Sequence, residues 1–132
     1  PQLSSMSNTD GCVFCEIVSG DIDATILLET EEYLCILDKY PVNEGHALAV
    51  PKTHTQFLTE IDTPPMYEFL EQSITEVRQR YQPDGMNIGL NDGPIAGQTI
   101  PHLHWHIIPR YEGDVEDPTG GVRGVMPSER TY

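Results

Sequence analysis

The sequence predicts an α+β domain with about five mostly antiparallel strands, one long helix and one short helix. Short runs rich in β-branched and aromatic residues recur along the chain, and one long segment between them has helical periodicity. At 132 residues the chain suits a single domain with one core. We expect this domain to span residues 11–110, after a disordered N-terminus or cloning remnant at residues 1–10.

The first half of the chain predicts one short helix and three strands, at residues 12–19, 25–29, 33–37 and 47–50. Gly20 ends the helix, because glycine readily takes the left-handed conformation found after a helix C-terminus. Glu31 and Glu32 separate the first two strands and indicate a hairpin. A loop rich in turn-forming residues follows, and His46 opens the third strand.

The second half predicts the long helix and two more strands. Thr63 is the expected helix cap, with prolines in the first turn. The apolar residues of this helix recur at spacings of three and four and form one stripe: Met66, Phe69, Leu70, Ile74, Val77 and Tyr81. Residues 86–90 form the fourth strand, and Gly97-Gln98-Thr99 leads into the fifth. The glycines and prolines in residues 111–132 predict a tail without regular secondary structure. We expect this tail to pack on the domain or on a dimer partner.

The fifth strand, residues 101–109, carries three of the five histidines. Imidazole and apolar side chains alternate there, which is the period of a β-strand and predicts one imidazole face. The other face, which we expect to be buried in the core, carries Leu103, Trp105 and Ile107. At roughly 3.3 Å per residue, His102 and His106 lie about 13 Å apart, too far to ligate one zinc ion together. We therefore expect the three histidines to have separate roles; a structural metal site or ordinary surface histidines are the plainer alternatives.

The net charge and the hydropathy of the chain limit the kinds of partner that it can bind. Seven Lys and Arg residues against 21 Asp and Glu residues give a net charge of −14, which argues against binding to duplex nucleic acid. A small phosphorylated substrate is compatible with this charge if its site is locally electropositive. No apolar run approaches the roughly 18 residues of a membrane span, and no signal peptide is evident. We expect a cytoplasmic protein with no membrane partner.

Cys12 and Cys15 form a Cys-x-x-Cys pair, and Cys35 makes the cysteine count odd. A disulfide framework is therefore not expected. A thioredoxin-like redox pair would need a βαβ context, which the predicted elements do not supply. A structural zinc site would need two further ligands, and His54 and His102 are the spare histidines. A pair of buried apolar cysteines is the alternative.

The chain contains no serine-based catalytic motif. It has neither a Gly-x-Ser-x-Gly elbow nor a Ser-His-Asp order. Residues 93–98 lack the Gly-Lys-Ser/Thr ending of a P-loop, although their backbone N–H groups could still face a phosphate. A nucleophile in this chain would therefore be an imidazole, which reacts well near pH 7 when neutral.

The segment His102-Leu103-His104-Trp105-His106 resembles the His-x-His-x-His motif of the histidine triad (HIT) superfamily. The likeness extends over most of residues 12–127. Its other pieces agree in order and spacing, and they are Asp38, Gly45 to His54, Asn91-Asp92-Gly93 and Gly97-Gln98-Thr99. The transferase branch, with two histidines and a proline between them, does not match. Trp105 is a bulky departure that could change the packing beneath the site.

The resemblance implies a nucleotide hydrolase or nucleotidyl transferase that cleaves at the α-phosphate of a nucleoside polyphosphate or phosphoramidate and releases nucleoside monophosphate. His104 would attack phosphorus and carry the nucleotidyl group covalently. His106 and Gln98 would contact the α-phosphate, and His46 would steady the imidazoles. The other implied nucleotide contacts are Asp38 at the ribose hydroxyls, Asn91 and Thr99 near the phosphate, and Phe14, Ile17, Ile22 and Ile36 around the base.

The resemblance also implies a cofactor and a partner. One structural zinc ion would be held, as in zinc-carrying prokaryotic members, by Cys12, Cys15, His54 and His102. Mg²⁺ would accompany the substrate phosphates, adenosine is the favoured nucleoside, and the long helix would contribute to a homodimer. The segment before the histidines is instead similar to the fragile-histidine-triad dinucleoside polyphosphate hydrolases, so hydrolase and phosphoramidase preferences stay open. The competing classes are a nucleotide-binding interaction module with little turnover and a non-catalytic metal-binding domain.

Overall fold

The computed structural model describes residues 11–131, so the expectation for residues 1–10 lies outside the described part. Its elements follow in the order α1 (Val13–Ser19), β1 (Ile26–Glu29), β2 (Tyr33–Leu37), β3 (Ala47–Pro51), α2 (Thr63–Tyr81), β4 (Gly85–Gly89) and β5 (Trp105–Arg110). The five strands form one sheet in the order β1-β2-β3-β5-β4, with every neighbouring pair antiparallel. The predicted α+β class is confirmed. Within residues 11–131, no helix has the length and apolar character needed to cross a membrane.

The alternation of side chains along the strands gives the sheet two apolar faces. On β3, Ala47 and Ala49 belong to the core formed with α2, whereas Leu48 and Val50 belong to the core formed with α1. The small alanines leave room for the long helix on their side. The predicted apolar stripe of α2 fills this larger core through Met66, Phe69, Leu70 and Val77.

The histidine strand is shorter than predicted. β5 begins at Trp105 instead of residue 101, and its pairing with β3 ends at Ala49 and Trp105. The Leu103 N–H bonds instead to the carbonyl of Thr55, so residues 102–104 follow a loop and not the sheet. Leu103 is nevertheless fully buried, as expected, and Trp105 packs partly buried against the α2 core.

Two further expectations need correction. Asp62, not Thr63, is the N-cap residue of α2, and its side chain makes no capping bond. A cap side chain accepts from the second or third helical N–H, and both of those positions are prolines, which have none. The tail also contains regular structure, because two short 3₁₀ helices form at Gly121–Val125 and Pro127–Glu129.

Candidate functional site

A cavity of about 860 Å³ opens on the α1 face of the sheet. Nine of the ten residues predicted to contact a nucleotide line it: Phe14, Ile17, Ile22, Ile36, Asp38, Asn91, Thr99, His104 and His106. Lys39, Tyr40 and Leu48 also line it, although they were not among the predicted nucleotide contacts. The cavity has the volume and the mixed apolar and polar lining of a small-molecule site.

Gln98 is the predicted contact that does not line this cavity. Its side-chain oxygen accepts from the Gly93 N–H at 3.2 Å, and its amide nitrogen donates to the carbonyl of Gln56 at 3.1 Å. The side chain is buried and stabilises the turn before the histidines. To reach an α-phosphate it would have to exchange these partners, so its catalytic role stays a prediction.

The proton of His104 is placed by the main chain. Its Nδ1 lies 2.8 Å from the carbonyl oxygen of His102. A carbonyl only accepts, so Nδ1 carries the proton and donates it. With this proton on Nδ1, the second ring nitrogen, Nε2, is the atom that can act as a nucleophile. The ring is 7% exposed and packs against Phe14 at a centroid distance of 4.9 Å, which holds its orientation.

A second hydrogen-bond series, here called the imidazole chain, consists of the Val42 N–H, His46 and His106. The Val42 N–H donates to His46 Nδ1 at 3.0 Å. His46 must then carry its proton on Nε2, which lies 2.9 Å from His106 Nδ1 and donates to it. His106 therefore has its own proton on Nε2, available to the cavity that the ring lines. His46 was among the residues predicted for the site. Val42 was not, because a backbone N–H donor leaves no pattern of side chains in the sequence.

Burial keeps both rings of the imidazole chain neutral. For His106, desolvation is the largest cause that lowers the pKa from 6.5 to about 4, and the nearby His104 and His46 lower it further. Desolvation also lowers the pKa of His46, while the Asp38 carboxylate, 3.5 Å from its Nε2, opposes the shift. At pH 7 the hydrogen-bond directions given above therefore apply to neutral rings.

The ends of β2 and β3 hold Asp38 and His46 side by side, because the Asp38 N–H donates to the His46 carbonyl at 2.9 Å. Gly45 makes the turn into β3 possible. Its φ of 87° lies in the left-handed region that favours glycine. A Cβ at this position would also lie 2.7 Å from the ring of Tyr81, so the local sequence leaves little alternative to glycine before His46.

A separate cluster offers four metal-ligand atoms within 4.8 Å of one another, from Cys12, Cys15, His54 and His102. Cys15 Sγ lies 3.2 Å from His54 Nδ1, and Cys12 Sγ lies 3.4 Å from His102 Nδ1. The other nitrogen of His102, Nε2, donates to the Pro51 carbonyl at 2.8 Å. Such an outer partner is typical of metal-ligating histidines and leaves Nδ1 free to bind. Two thiols and two imidazoles form a closed zinc ligand set.

The protonation states of two ligands determine what a bound cation would have to change in this cluster. Burial, followed by the neighbouring Cys12, raises the pKa of the Cys15 thiol to about 12. Only a cation that binds the thiolate would remove that proton near pH 7. Burial lowers the pKa of His102 to about 4, so its ring is already in the neutral form that ligates metal.

A second group among residues 11–131 also places ligand atoms within 4.8 Å, namely Asp38, His46 and His106. Two of its nitrogens already share a proton in the imidazole chain. A metal ion at this position would have to break that chain. The cysteine-containing cluster is therefore the better zinc site.

Comparison with known proteins identifies the family and one relative that is named for an activity. A model of the HIT domain matches residues 19–113. An uncharacterized HIT-like protein of Methanocaldococcus jannaschii is 43% identical over 107 residues, which cover 80% of this chain and 83% of that protein. The adenosine 5'-monophosphoramidase of Schizosaccharomyces pombe is 38% identical over 99 residues, covering 75% and 74%. The crystal structure of a Zn-bound histidine triad family protein from Mycobacterium smegmatis is 41% identical, with a TM-score of 0.71 and coverage of 80% and 79%.

Proposed function

Because this chain belongs to the HIT family, we propose that it is an enzyme that cleaves a nucleotide derivative at the α-phosphate and releases nucleoside monophosphate. The observation that carries the proposal is the fixed tautomer of His104, whose Nδ1–H donates to a main-chain carbonyl in a ring that lines the cavity. A relative named as an adenosine 5'-monophosphoramidase supports adenosine as the nucleoside.

The reaction we propose has two steps. The Nε2 lone pair of His104 attacks the α-phosphorus, the bond to the leaving group breaks, and a nucleotidyl-histidine forms. Water then displaces His104 and gives the monophosphate. The Nε2–H of His106 donates to an α-phosphate oxygen and stabilises the charge that develops there, without reorganisation at the moment of reaction. Mg²⁺ on the substrate phosphates would add to this stabilisation.

The proposal is tested with a panel of adenosine polyphosphates and adenosine phosphoramidates and identification of each product. We expect AMP as a product of at least one class. A nucleotide-binding interaction module, the competing function, would bind AMP but would release none from any substrate of the panel. That outcome would contradict the enzymatic proposal and favour the module.

Asp38→Ala is expected to reduce the preference for ribonucleotides over deoxyribonucleotides. We propose that the carboxylate accepts hydrogen bonds from the ribose hydroxyls, and charge-assisted bonds are the stronger kind. Losing the 2'-OH would leave a partly desolvated carboxylate without a partner, at about 1–3 kcal/mol. The wild-type protein should therefore favour the ribonucleotide by roughly 5- to 150-fold in kcat/KM, at 1.36 kcal/mol per decade.

The ratio of the two kcat/KM values is the measurement, because Asp38 also lies 3.5 Å from His46 and its loss would slow both substrates through that contact. Only the ribose contact changes the ratio. Equal values for an adenosine substrate and its 2'-deoxy analogue in the wild-type protein would remove this role from Asp38.

We further propose that the cysteine-containing cluster holds one structural zinc ion. All four donors come from the protein, so no coordination position remains for substrate or water. The support is the donor set itself and the Pro51 carbonyl that orients His102, together with the Zn-bound mycobacterial relative. Zinc at this site would fix the segment that leads to His104 and would not take part in the chemistry.

A homodimer is the assembly we propose. The apolar stripe of α2 is mostly used within the protein's own core, which leaves the sheet edge as the stronger candidate. β4 is an edge strand, and an edge strand presents unpaired N–H and C=O groups that can pair with a second copy. Light scattering at micromolar concentration should give twice the chain mass of 14.8 kDa. A monomer under those conditions would contradict the proposal.

A further inference from the structure

The loop that carries the Val42 N–H is mostly exposed. This loop, residues 38–46, joins β2 to β3. Among residues 39–44 only Asn43 is partly buried, and the others are exposed. Val42 itself is 68% exposed, so its side chain offers little buried surface to hold the N–H against His46. Another contact must therefore fix this part of the main chain.

Asn43 supplies such a contact through its side-chain amide. Its Nδ2 donates to the Pro109 carbonyl at 3.0 Å and to Asp114 Oδ2 at 2.7 Å. An amide nitrogen has two protons, and these two bonds use both of them. A carbonyl and an ionised carboxylate only accept, so the nitrogen of the amide, and not its oxygen, must face them. The orientation of the Asn43 side chain is thereby determined.

The Asp114 carboxylate is itself held in place. It accepts from Arg110 Nε at 2.8 Å, from Arg110 Nη2 at 2.9 Å and from the Tyr111 N–H at 2.9 Å. A guanidinium that meets both carboxylate oxygens gives a strong and directional pair. The bond from Arg110, followed by that from Tyr111, lowers the pKa of Asp114 below its usual range, so the carboxylate is ionised near pH 7. Arg110 is in turn held by the Asn87 oxygen on β4, 2.7 Å from its Nη1.

Asn43 connects the two ends of the imidazole chain. Its main-chain carbonyl accepts from the His46 N–H at 3.1 Å. Its side chain bonds to Pro109, which is fully buried in β5, the strand that also carries His106. Asn43 is also the next residue after Val42 in the sequence. One residue therefore ties the loop that orients His46 to the strand of His106.

We propose that Asn43 and Asp114 are positioning residues for the imidazole chain. They hold the Val42 N–H against His46 Nδ1, which keeps the His46 proton on Nε2, the atom that donates to His106. Neither residue lines the cavity, so both act through His46 and not on a substrate. The effect on turnover rests on the proposed function, in which His106 donates to the α-phosphate, whereas the effect on the His46 tautomer does not.

The proton positions change if this tether is lost. Without the Val42 N–H, a neutral His46 ring could carry its proton on either nitrogen. A proton on Nδ1 would turn His46 Nε2 into an acceptor, and His106 Nδ1 would have to donate to it. The Nε2 of His106 would then present a lone pair to the cavity. A lone pair repels phosphate oxygens, whereas an N–H stabilises the charge that develops on them.

The first measurement is the tautomer of His46 in Asn43→Ala, a substitution that removes both amide bonds without adding charge. Proteins labelled with ¹⁵N in their histidines are compared by NMR near pH 7, because protonated and unprotonated nitrogens of a neutral imidazole resonate well apart. We expect the wild-type His46 ring to carry its proton on Nε2 only. In Asn43→Ala its two nitrogen resonances should move toward each other, since both tautomers are populated.

The second measurement is turnover of the adenosine substrate that the wild-type protein hydrolyses fastest. We expect Asn43→Ala to lower kcat at least tenfold, since a positioned proton donor contributes about 10²- to 10⁴-fold. KM should change by less than about threefold, because an interaction that acts only in the transition state leaves ground-state binding intact. A merely structural loss would not separate kcat from KM in this way.

A second variant and a control complete the experiment. Asp114→Ala removes the acceptor of the same hydrogen bond and serves also if Asn43→Ala does not fold. Because both residues act through one contact, the double variant should lose less kcat than the product of the two single losses. Thr30→Ala is the matched control. The Thr30 hydroxyl oxygen accepts from the Tyr33 N–H at 3.1 Å, a comparable tether to the main chain at the other end of β2, and its loss should change neither the His46 tautomer nor kcat.

Each outcome decides. An unchanged His46 spectrum in both Asn43→Ala and Asp114→Ala would overturn the inference, whatever the rates. A mixture of tautomers that also appears in Thr30→Ala would indicate a general loss of stability and would overturn the positioning role. A changed tautomer with unchanged kcat would contradict the effect on turnover. Absence of wild-type turnover would remove the proposed function, while the NMR comparison would still decide whether Asn43 positions the His46 proton.

Discussion

His104→Ala is expected to lower kcat by at least about three orders of magnitude, because the proposed covalent pathway has no other nucleophile. The fold should tolerate the change. Leu103 and Ile107, which are buried close to His104 in the chain, anchor this segment independently. The cysteine-containing cluster does not include His104. Nucleotide binding should persist, since the apolar cavity wall and Asp38 remain.

Three measurements check this expectation. The rate of AMP release gives kcat, calorimetric titration with AMP shows whether the site survives, and mass spectrometry of acid-quenched protein detects the nucleotidyl adduct. The adduct should appear on the wild-type chain and be absent from the variant. A variant that retains more than about a tenth of the wild-type rate would exclude His104 as the nucleophile.

Cys12→Ser is expected to abolish zinc binding and to lower Tm by at least about 10 °C. A serine hydroxyl does not replace a thiolate on zinc, and binding to the native state alone stabilises that state. A loss of about 3 kcal/mol would produce such a shift in a domain of this size. Activity should fall as a consequence, because His102 is both a cluster member and the residue whose carbonyl holds His104.

Cys35→Ser provides the matched control, because Cys35 is also buried but lies in the α2 core, outside the metal cluster. This variant should keep one zinc ion per chain by elemental analysis. Its Tm can fall, because the substitution places a polar hydroxyl in the α2 core. A strong chelator should lower the Tm of the wild-type protein and of Cys35→Ser and leave Cys12→Ser unchanged. If wild-type protein purified without chelator contained no zinc, the proposal of a structural zinc ion would be refuted.

Most of the fold could be predicted because its signals are local. A short run rich in β-branched and aromatic residues predicted β2 over residues 33–37, as observed. Gly20 ends α1 in the expected left-handed conformation. The start of β5 could not be predicted, because the alternation of His102, Leu103 and His104 continues outside the sheet. Only the hydrogen bond from Leu103 to Thr55, a contact distant in sequence, shows that these residues form a loop.

In the candidate site, too, residue identities could be predicted from local motifs, whereas contacts between distant residues could not. Motif residues such as Asp38, Asn91 and Thr99 line the cavity, and their contact with a nucleotide stays a prediction. Gln98 belongs to the same motif, yet its side chain bonds within the turn, because a motif gives identity and order but not rotamers. The contribution of Val42 was not predictable at all, since a backbone donor leaves no spacing pattern in the sequence.

The protons of His104 and His46 are positioned by peptide groups, the carbonyl of His102 and the N–H of Val42 respectively. A peptide group neither titrates near neutral pH nor reverses its polarity. Two neutral rings could adopt four combinations of tautomers, and these contacts leave one. Side chains that line the cavity can consequently change without moving these two protons. The fold therefore separates the tautomers of these two histidines, which depend on the main chain, from the shape of the cavity, which depends on the side chains that line it.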